Sequence, residues 1–465
     1  MYHRGVPLVG GVAALAGKKV ALFGAGMEGR CFARLIGPSC AELVVLDDLA
    51  GDGTVSERTG EELVGLDVVS PSVLEERAFE FVVHSPGVSR YDERLLSAAR
   101  LGAIVTTPTA LFMEDFSDRR VVAVTGSKGK TTTALLTAAA FRAYGLDVAL
   151  AGNIGRPLSE LYDDEGHDVF VLELSSFQCA EVTTSPTVGV LTLLAPDHLD
   201  WHRGLENYYA DKLRLFSRRD DVSVAVNGRC EEAVARSSPL AGRVLYGEGG
   251  PVRLVESEVF AFDLGPLDLD GFQLLGEHNL LNACGAVTAG LLLTGELPEK
   301  KRLEDELSQV KAPCSRLEPI GVVGGISYID DALASNPEGT LAALKVFAGR
   351  SVALIVGGHD RGVDFTVLAR AIESTSPQPV VFLLGGAGAA IGAALEAISS
   401  TARFLSVESL EAAVEAASSC PGIEVVLFSP AAPTPHEEGS YLDRGRRFRQ
   451  AAGVASATVP GGGET

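Results

Sequence analysis

The stretch Val121-Val-Ala-Val-Thr-Gly126-Ser127-Lys128-Gly129-Lys130-Thr131-Thr132-Thr133 has the residue types needed to hold a phosphate chain. It reads as a short buried strand, a glycine-rich turn and a helix start. That order points backbone N–H groups at one place, with the positive end of a helix dipole behind them. Lys130 can reach the outer phosphates of a nucleotide, and the Thr131 hydroxyl can sit on Mg²⁺. The common phosphate loop has about four residues between its first glycine and Gly-Lys. Here only Ser127 and Lys128 stand between Gly126 and Gly129.

More candidates for chemistry follow. Glu173 ends a strand just before Ser175-Ser176, and His198 follows the end of the next strand. Mg²⁺ takes oxygen ligands in octahedral geometry and keeps several waters. Thr131, Glu173 and a nucleotide phosphate meet that need. His198 is an unusual Mg²⁺ ligand, and its residue type alone favours a hydrogen-bonded loop histidine. Asp197 and Asp200 suit either a metal or the cap of the following helix. Lys212 lies in the amphipathic stretch Tyr208-Tyr-Ala-Asp-Lys212-Leu-Arg-Leu-Phe216, where pattern alone gives a solvated surface lysine. Asn279 and Asn282 can read an adenine edge or a phosphate, or cap a helix.

These residues need strands that end at one edge of a sheet. Strand-like runs at Val148–Leu150, Val169–Leu174 and Val188–Leu194 end in Gly152-Asn153-Ile-Gly155, Ser175-Ser176-Phe-Gln178 and Asp197-His198-Leu-Asp200. Polar clusters after successive parallel strands are what a nucleotide site at the carboxyl edge of an α/β sheet requires. Upstream, Lys18–Phe23 runs into Gly24-Ala-Gly26-Met-Glu-Gly29. The strand Glu42–Leu46 then ends at Asp47-Asp48, roughly 20 residues past the glycines, which is a dinucleotide-type layout. Runs at Leu66–Val69 and Phe79–His84 follow, the latter ending in Ser85-Pro86-Gly87. Downstream, Ile326–Ile329 meets Asp330-Asp331, and Val352–Val356 meets Gly357-Gly-His-Asp-Arg361-Gly. Val380–Leu384 meets Gly385-Gly386, and Val425–Phe428 meets Ser429-Pro430. The expected fold is α/β in three serial units: Rossmann-like at 1–102, P-loop ATPase-like at 103–314 and Rossmann-like at 315–465. The tail Thr458–Thr465, with Pro460 and three glycines, is expected to be disordered.

Bulk properties fit this plan. A chain of 465 residues is too long for one core. The net charge of −22 disfavours nucleic acid or an anionic membrane as partner. No apolar run approaches the roughly 18 residues of a membrane span. The N-terminal residues lack a basic-then-apolar signal layout, so cytoplasmic residence is expected. The seven cysteines are scattered without a C-x-x-C pair, so neither a disulfide frame nor a zinc site is expected.

In order along the chain stand Gly126-Ser-Lys-Gly129-Lys130-Thr131-Thr132, Gly152-Asn153-Ile-Gly155, Leu172-Glu173-Leu-Ser-Ser-Phe-Gln178, Asp197-His198-Leu-Asp200, Lys212-Leu-Arg and His278-Asn279-Leu-Leu-Asn282. Ser315-Arg316-Leu-Glu318, Asp330-Asp331, Gly357-Gly-His-Asp-Arg361-Gly, Ser429-Pro430-Ala and Asp443-Arg444-Gly445 complete the series. This set resembles the Mur ligases of peptidoglycan synthesis, and within them the glutamate-adding group, over nearly the whole chain. The resemblance implies that ATP phosphorylates the carboxylate of UDP-N-acetylmuramoyl-L-alanine and that the glutamate amine then attacks the acyl phosphate. It implies catalytic roles for Lys130, Glu173, His198 and Lys212, and two Mg²⁺ sites held by Thr131, Glu173, His198 and a carbamylated Lys212. Nucleotide contacts would come from Gly126 to Thr132, Asn279, Asn282, Arg316 and Asp331. The UDP-substrate would meet Gly24, Gly26, Gly29, Asp47, Ser85, Gly87, Asn153 and Ser175.

The last unit departs from the pattern. Where D-glutamate enzymes commonly carry Ser-Lys-Ala-Thr-Asn, this chain has Ala332-Leu333-Ala334-Ser335-Asn336. Arg361 stands at a later lysine position and is the natural cation for a glutamate carboxylate, with Ser429 nearby in the pattern. His198-Leu-Asp-Trp201-His202 and Asp211-Lys212 resemble a branch that adds L-glutamate, which would need an epimerase partner. The resemblance leaves the isomer open. A folylpolyglutamate synthase-like ligase is a second reading, opposed by the Gly24–Gly29 unit. A non-enzymatic nucleotide-binding protein is a third, and it predicts no amino-acid-dependent phosphate release.

Overall fold

The computed structural model describes residues 9–48, 50, 67–164 and 166–454. The tail at 458–465 lies outside them. The chain divides into two compact units. One runs to Gly271 and includes His278–Gln309. The other takes Phe272–Glu277 and the residues from Val310 onward.

The first unit carries two parallel sheets. The first sheet consists of β1 (Lys19–Phe23), β2 (Glu42–Leu46), β3 (Asp67–Val69), β4 (Phe81–His84) and β5 (Ile104–Thr106), in the order β3-β2-β1-β4-β5. β5 lies just past residue 102 and pairs in parallel with β4. The strand order reverses around β1, which opens a crevice at the carboxyl ends of β1 and β4. Helix α1 (Met27–Ile36) starts directly after the Gly24–Gly26 turn.

The second sheet consists of β6 (Val121–Thr125), β7 (Val148–Gly152), β8 (Val169–Glu173), β9 (Val188–Leu191), β10 (Ser223–Asn227) and β11 (Gly242–Tyr246), in the order β11-β10-β9-β6-β8-β7. Every residue of β6, β8 and β9 is buried, because helices cover both faces of a parallel sheet. Each fully buried Val, Leu or Phe contributes roughly 1.5–3 kcal/mol. Phe112, Phe116, Tyr162 and Phe170 form an aromatic cluster beneath this sheet. Five helices frame its carboxyl edge: α2 (Lys130–Ala143), α3 (Ser176–Cys179), α4 (Leu199–His202), α5 (Leu205–Leu213) and α6 (Glu277–Thr294). A small antiparallel sheet of β12 (Val252–Val255), β13 (Glu258–Ala261) and β14 (Gly265–Pro266) follows β11.

The second unit holds β15 (Glu318–Val323), β16 (Ile326–Asp330), β17 (Val352–Gly357), β18 (Val380–Leu384), β19 (Phe404–Val407) and β20 (Val425–Phe428). Their order is β15-β16-β20-β17-β18-β19, with only β15 antiparallel to its neighbour. Loops after β16, β17 and β20 therefore emerge side by side. Three large sheets of mainly parallel strands are present, and the expected mixed α/β class holds.

Candidate active site

At the end of β6 the chain turns through Gly126, with φ +154°, and Gly129, with φ +84°. A Cβ on Gly126 would lie 1.9 Å from Thr192 Oγ1, so the turn closes against its neighbour strand only with glycine. Gly129 is the cap of α2, which begins at Lys130. Thr131 is half-buried and Thr132 is buried on the first turn of that helix. Lys130 Nζ donates to the Ser127 carbonyl at 3.2 Å, folding its side chain back over the loop. The exposed Lys128 lies 3.9 Å from Asp197 Oδ2.

Ser127 is committed within the protein. Its N–H donates to Leu193 O at 2.6 Å, and its hydroxyl donates to Ala195 O at 2.7 Å. The Tyr208 hydroxyl lies 2.7 Å from Ser127 Oγ. A phosphate at the loop would therefore meet the amides from Lys128 onward.

Glu173, the last residue of β8, is 1% exposed. Its Oε1 accepts from Asn153 Nδ2 at 3.0 Å, which brings the Gly152–Gly155 turn to the site. Its Oε2 is buried with no hydrogen-bond partner among the described residues. A buried carboxylate oxygen left this way is expensive unless a cation meets it, so the residues present fit a divalent ion.

Lys212 overturns its surface reading. It lies on the last turn of α5 and is 2% exposed. Its Nζ donates to the Gly126 carbonyl at 2.8 Å, directly against the loop. Burial, with help from the Lys130 charge, brings its pKa down to about 7, against a weaker opposing pull from Asp197 and Glu173. His198 is exposed, sits in a left-handed conformation with φ +49°, and packs 4.9 Å from the Phe177 ring. Burial of part of its ring lowers its pKa, and the charges of Lys212 and Lys130 add to that. Lys130, Glu173, Asp197, His198 and Lys212 thus share one electrostatic neighbourhood. Among the described residues no group of three or more His, Cys, Asp or Glu side chains forms a metal cage.

Asn279 and Asn282 are buried within α6 and are not its caps. Asn282 Nδ2 donates to Asn279 Oδ1 at 3.1 Å. A Cβ on Gly129 would lie 2.9 Å from Asn282 Oδ1, so this helix reaches the phosphate loop.

The first sheet gathers a second cluster. Asp47 Oδ2 accepts from the Ala25 N–H at 3.1 Å. Ser85 Oγ donates to Phe23 O at 3.2 Å, and a Cβ on Gly24 would lie 1.9 Å from it. A Cβ on Gly29 would lie 2.0 Å from Gly24 O, whereas one on Gly26 or Gly87 meets nothing within 4 Å. Gly24, Asp47 and Ser85 therefore meet at the carboxyl edge, Gly26 and Gly87 are exposed in the turns there, and Gly29 is buried behind the first turn.

Several engaged residues escaped the sequence reading. His84 and Glu181 form a buried pair at 2.8 Å. Burial pulls His84 down, but Glu181 outweighs it and the net direction is up, while Glu181 goes down. The buried Oε1 of Glu28, on the first turn of α1, has no hydrogen-bond partner among the described residues. Burial pushes that carboxyl up to about 7. Their signal in the sequence was weak: isolated charged residues inside or beside apolar runs.

In the second unit Asp331 is buried. Its Oδ1 accepts from the Leu317 N–H at 3.0 Å, and its Oδ2 accepts from Ser429 Oγ at 2.7 Å. Burial pushes its carboxyl up to about 7, and the Arg316 charge opposes this. Ser429 is fully buried; its N–H donates to Ile355 O and its carbonyl accepts from Thr340. Arg361 is exposed in the loop after β17. His359 N–H donates to Pro433 O at 2.9 Å, which ties that loop to the one after β20.

Residues 124–290 match the Mur ligase middle domain. The chain is 33% identical to UDP-N-acetylmuramoyl-L-alanine–L-glutamate ligase of Xanthomonas euvesicatoria pv. vesicatoria, over 96% of this chain and 98% of that one. It is 35% identical to the protein of the same name from Micromonospora sp., over 94% and 97%. Among solved structures it resembles UDP-N-acetylmuramate-alanine ligase from Thermotoga maritima, with a TM-score of 0.58, 19% identity, and coverage of 93% and 98%. The phosphate loop with its buried lysine and carboxylate, and this near-full-length likeness, place the chain in the Mur ligase family.

Proposed function

We propose that this chain is an ATP-dependent ligase that joins L-glutamate to UDP-N-acetylmuramoyl-L-alanine during peptidoglycan precursor synthesis. The observation that carries the ligase chemistry is Lys212, buried and bonded to the phosphate-loop carbonyl of Gly126. The substrates are taken from the names of the relatives. The three domains expected at 1–102, 103–314 and 315–465 then divide the work, the first of them extended to take in β5 (Ile104–Thr106), which completes its sheet. The first holds the UDP end at Gly24–Gly29, Asp47 and Ser85–Gly87. The central one holds ATP, and the last brings the amino acid through Arg361.

The substrate carboxylate attacks the γ-phosphorus of ATP, and ADP leaves. The glutamate amine attacks the acyl phosphate, and the tetrahedral intermediate collapses to amide and phosphate. Lys130 and the amides from Lys128 onward hold the β- and γ-phosphates and offset charge as it moves. Asn279 and Asn282, beside Gly129, hold the rest of the nucleotide on the first unit. Asn153 and Ser175 flank Glu173 and orient the substrate carboxylate.

Thr131, Glu173, His198 and Lys212 would hold Mg²⁺, which when bound supplies charge neutralisation at the transferring phosphoryl group. Burial brings the Lys212 pKa down to about 7, so a good part of its amine is neutral near neutral pH. The neutral amine adds carbon dioxide and releases a proton to give a carbamate, so a side chain that began as a cation would offer oxygen ligands. Among the described residues no helix is long and apolar enough to cross a membrane. An L-glutamate product requires an epimerase downstream to supply the D-isomer.

The test is phosphate release from ATP with UDP-N-acetylmuramoyl-L-alanine and glutamate, with product mass read in parallel. Release that depends on both substrates is expected. No release, or release without amide product, contradicts the proposal.

A further inference from the structure

Helix α4 is only four residues long, and both its flanking residues are left-handed: His198 at φ +49° and Arg203 at φ +55°. Non-glycine residues hold such backbone only where surrounding contacts over-determine it. His202, the last residue of this helix, has a fully buried side chain. Its Nδ1 donates to Asp211 Oδ2 at 2.7 Å, and its Nε2 lies 2.9 Å from Ser176 Oγ. Its ring stacks on Phe177 at 5.6 Å and meets Tyr208 edge-on at 5.1 Å.

Each bond reaches a different element of the site. Ser176 opens α3, three residues after Glu173. Asp211 is 2% exposed and immediately precedes Lys212 on α5. Its other oxygen faces Arg90 at 3.5 Å, and Arg90 also donates to the Ala180 carbonyl. A Ser–His–Asp array of this kind also suits a hydrolase. Here Ser176 is 2% exposed, so its hydroxyl cannot reach an acyl group in solvent.

We propose that His202 is a positioning residue: by joining Asp211 on α5 to Ser176 on α3, it holds Lys212 against Gly126 and beside Glu173. The kinetic part of this inference rests on the ligase reading above. The geometric part does not.

Two variants and two readouts decide it. His202→Phe keeps the ring's bulk and removes both bonds; His202→Gln keeps a donor and an acceptor. In carbon dioxide-free buffer, acylation of Lys212 by a small amine reagent is followed by peptide mass mapping. Labelling of the buried Cys284 by a thiol reagent serves as the control. His202→Phe should raise Lys212 labelling about tenfold with Cys284 still protected, because the opening is local. His202→Gln should fall between His202→Phe and the unaltered chain. Unchanged Lys212 labelling overturns the proposal. So does a matching rise at Cys284, which would mean general loosening.

In the ligase assay His202→Phe should lower kcat on the order of 10²-fold, since misplacement by about 1 Å has that effect. KM for ATP should stay within about threefold, since the loop amides still hold the phosphates. A raised KM with unchanged kcat also overturns the proposal. An inactive unaltered chain would refute the ligase reading, and the labelling result would still decide the role of His202.

Discussion

Lys212 Nζ donates to the carbonyl of Gly126 at 2.8 Å, joining the end of α5 to the first glycine of the phosphate loop 86 positions away in sequence. A lysine buried so deeply has to earn its place through chemistry, because a hydrocarbon side chain of similar size would be easier to bury. Lys212→Ala should therefore lower kcat by at least about 10²-fold. A short carboxylic acid should restore part of the activity by standing where the carbamate would be. Steady-state kinetics with and without the acid check this. Full activity of the unrescued variant refutes the role.

Glu173 leads to an opposed pair of expectations. Its Oε2 is buried and unbonded among the described residues, while Asn153 serves Oε1. Glu173→Gln keeps the Asn153 bond and removes an uncompensated charge. The metal-free variant should melt at or above the temperature of the unaltered protein and yet lose activity, on the order of 10²-fold, with a higher Mg²⁺ requirement. Calorimetry and a Mg²⁺ titration of phosphate release separate the two effects. A large drop in melting temperature would show that the carboxylate is structural.

Two glycines of one turn should behave differently. A methyl on Gly29 would lie 2.0 Å from Gly24 O, a backbone atom that cannot yield. Gly29→Ala should cut soluble expression and stability. A methyl on Gly26 meets nothing within 4 Å and projects into the open crevice. Gly26→Ala should keep its melting temperature and raise KM for the UDP-substrate, about tenfold or more, by crowding the diphosphate. An unchanged KM would move the UDP site elsewhere.

Asp331 should tilt the pH dependence of stability. Burial raises its carboxyl from an ordinary 3.8 to about 7. Between those values the folded chain holds a proton that the unfolded chain has released. Its contribution is therefore complete below about pH 4 and lost as pH rises through about 7. Asp331→Asn, which can still bond Leu317 and Ser429, removes that slope. Melting temperatures from pH 4 to 8 should show the unaltered protein losing ground to the variant as pH rises. Parallel curves contradict the assignment.

The central strands were legible as apolar runs ending in polar clusters, because parallel strands buried on both faces leave that mark. Glu42–Leu46, Val380–Leu384 and Val425–Phe428 stand where their runs placed them. The edge strands left a weaker mark. Phe404–Val407 is half-exposed, and Glu318–Val323 carries Pro319 and Gly321. Helical pattern alone read Lys212 as a surface residue, because one helix does not reveal what packs over it; only the family resemblance put it at the site. Its partner Gly126 and the His202 beside Asp211 come from elsewhere in the chain. Ser429 was named as a substrate contact, but its bond hid for the same reason: its hydroxyl serves Asp331, 98 positions away, and no local spacing encodes that.

The central claim is addition of L-glutamate to UDP-N-acetylmuramoyl-L-alanine. Its most direct test compares kcat/KM for L- and D-glutamate in the phosphate-release assay, with the other substrates held saturating. The account predicts a preference for the L-isomer of at least about 10²-fold, as expected when a site that places the amine and carboxylates for one isomer misplaces them for its mirror image. Equal turnover of the two isomers, or preference for D-glutamate, would contradict it.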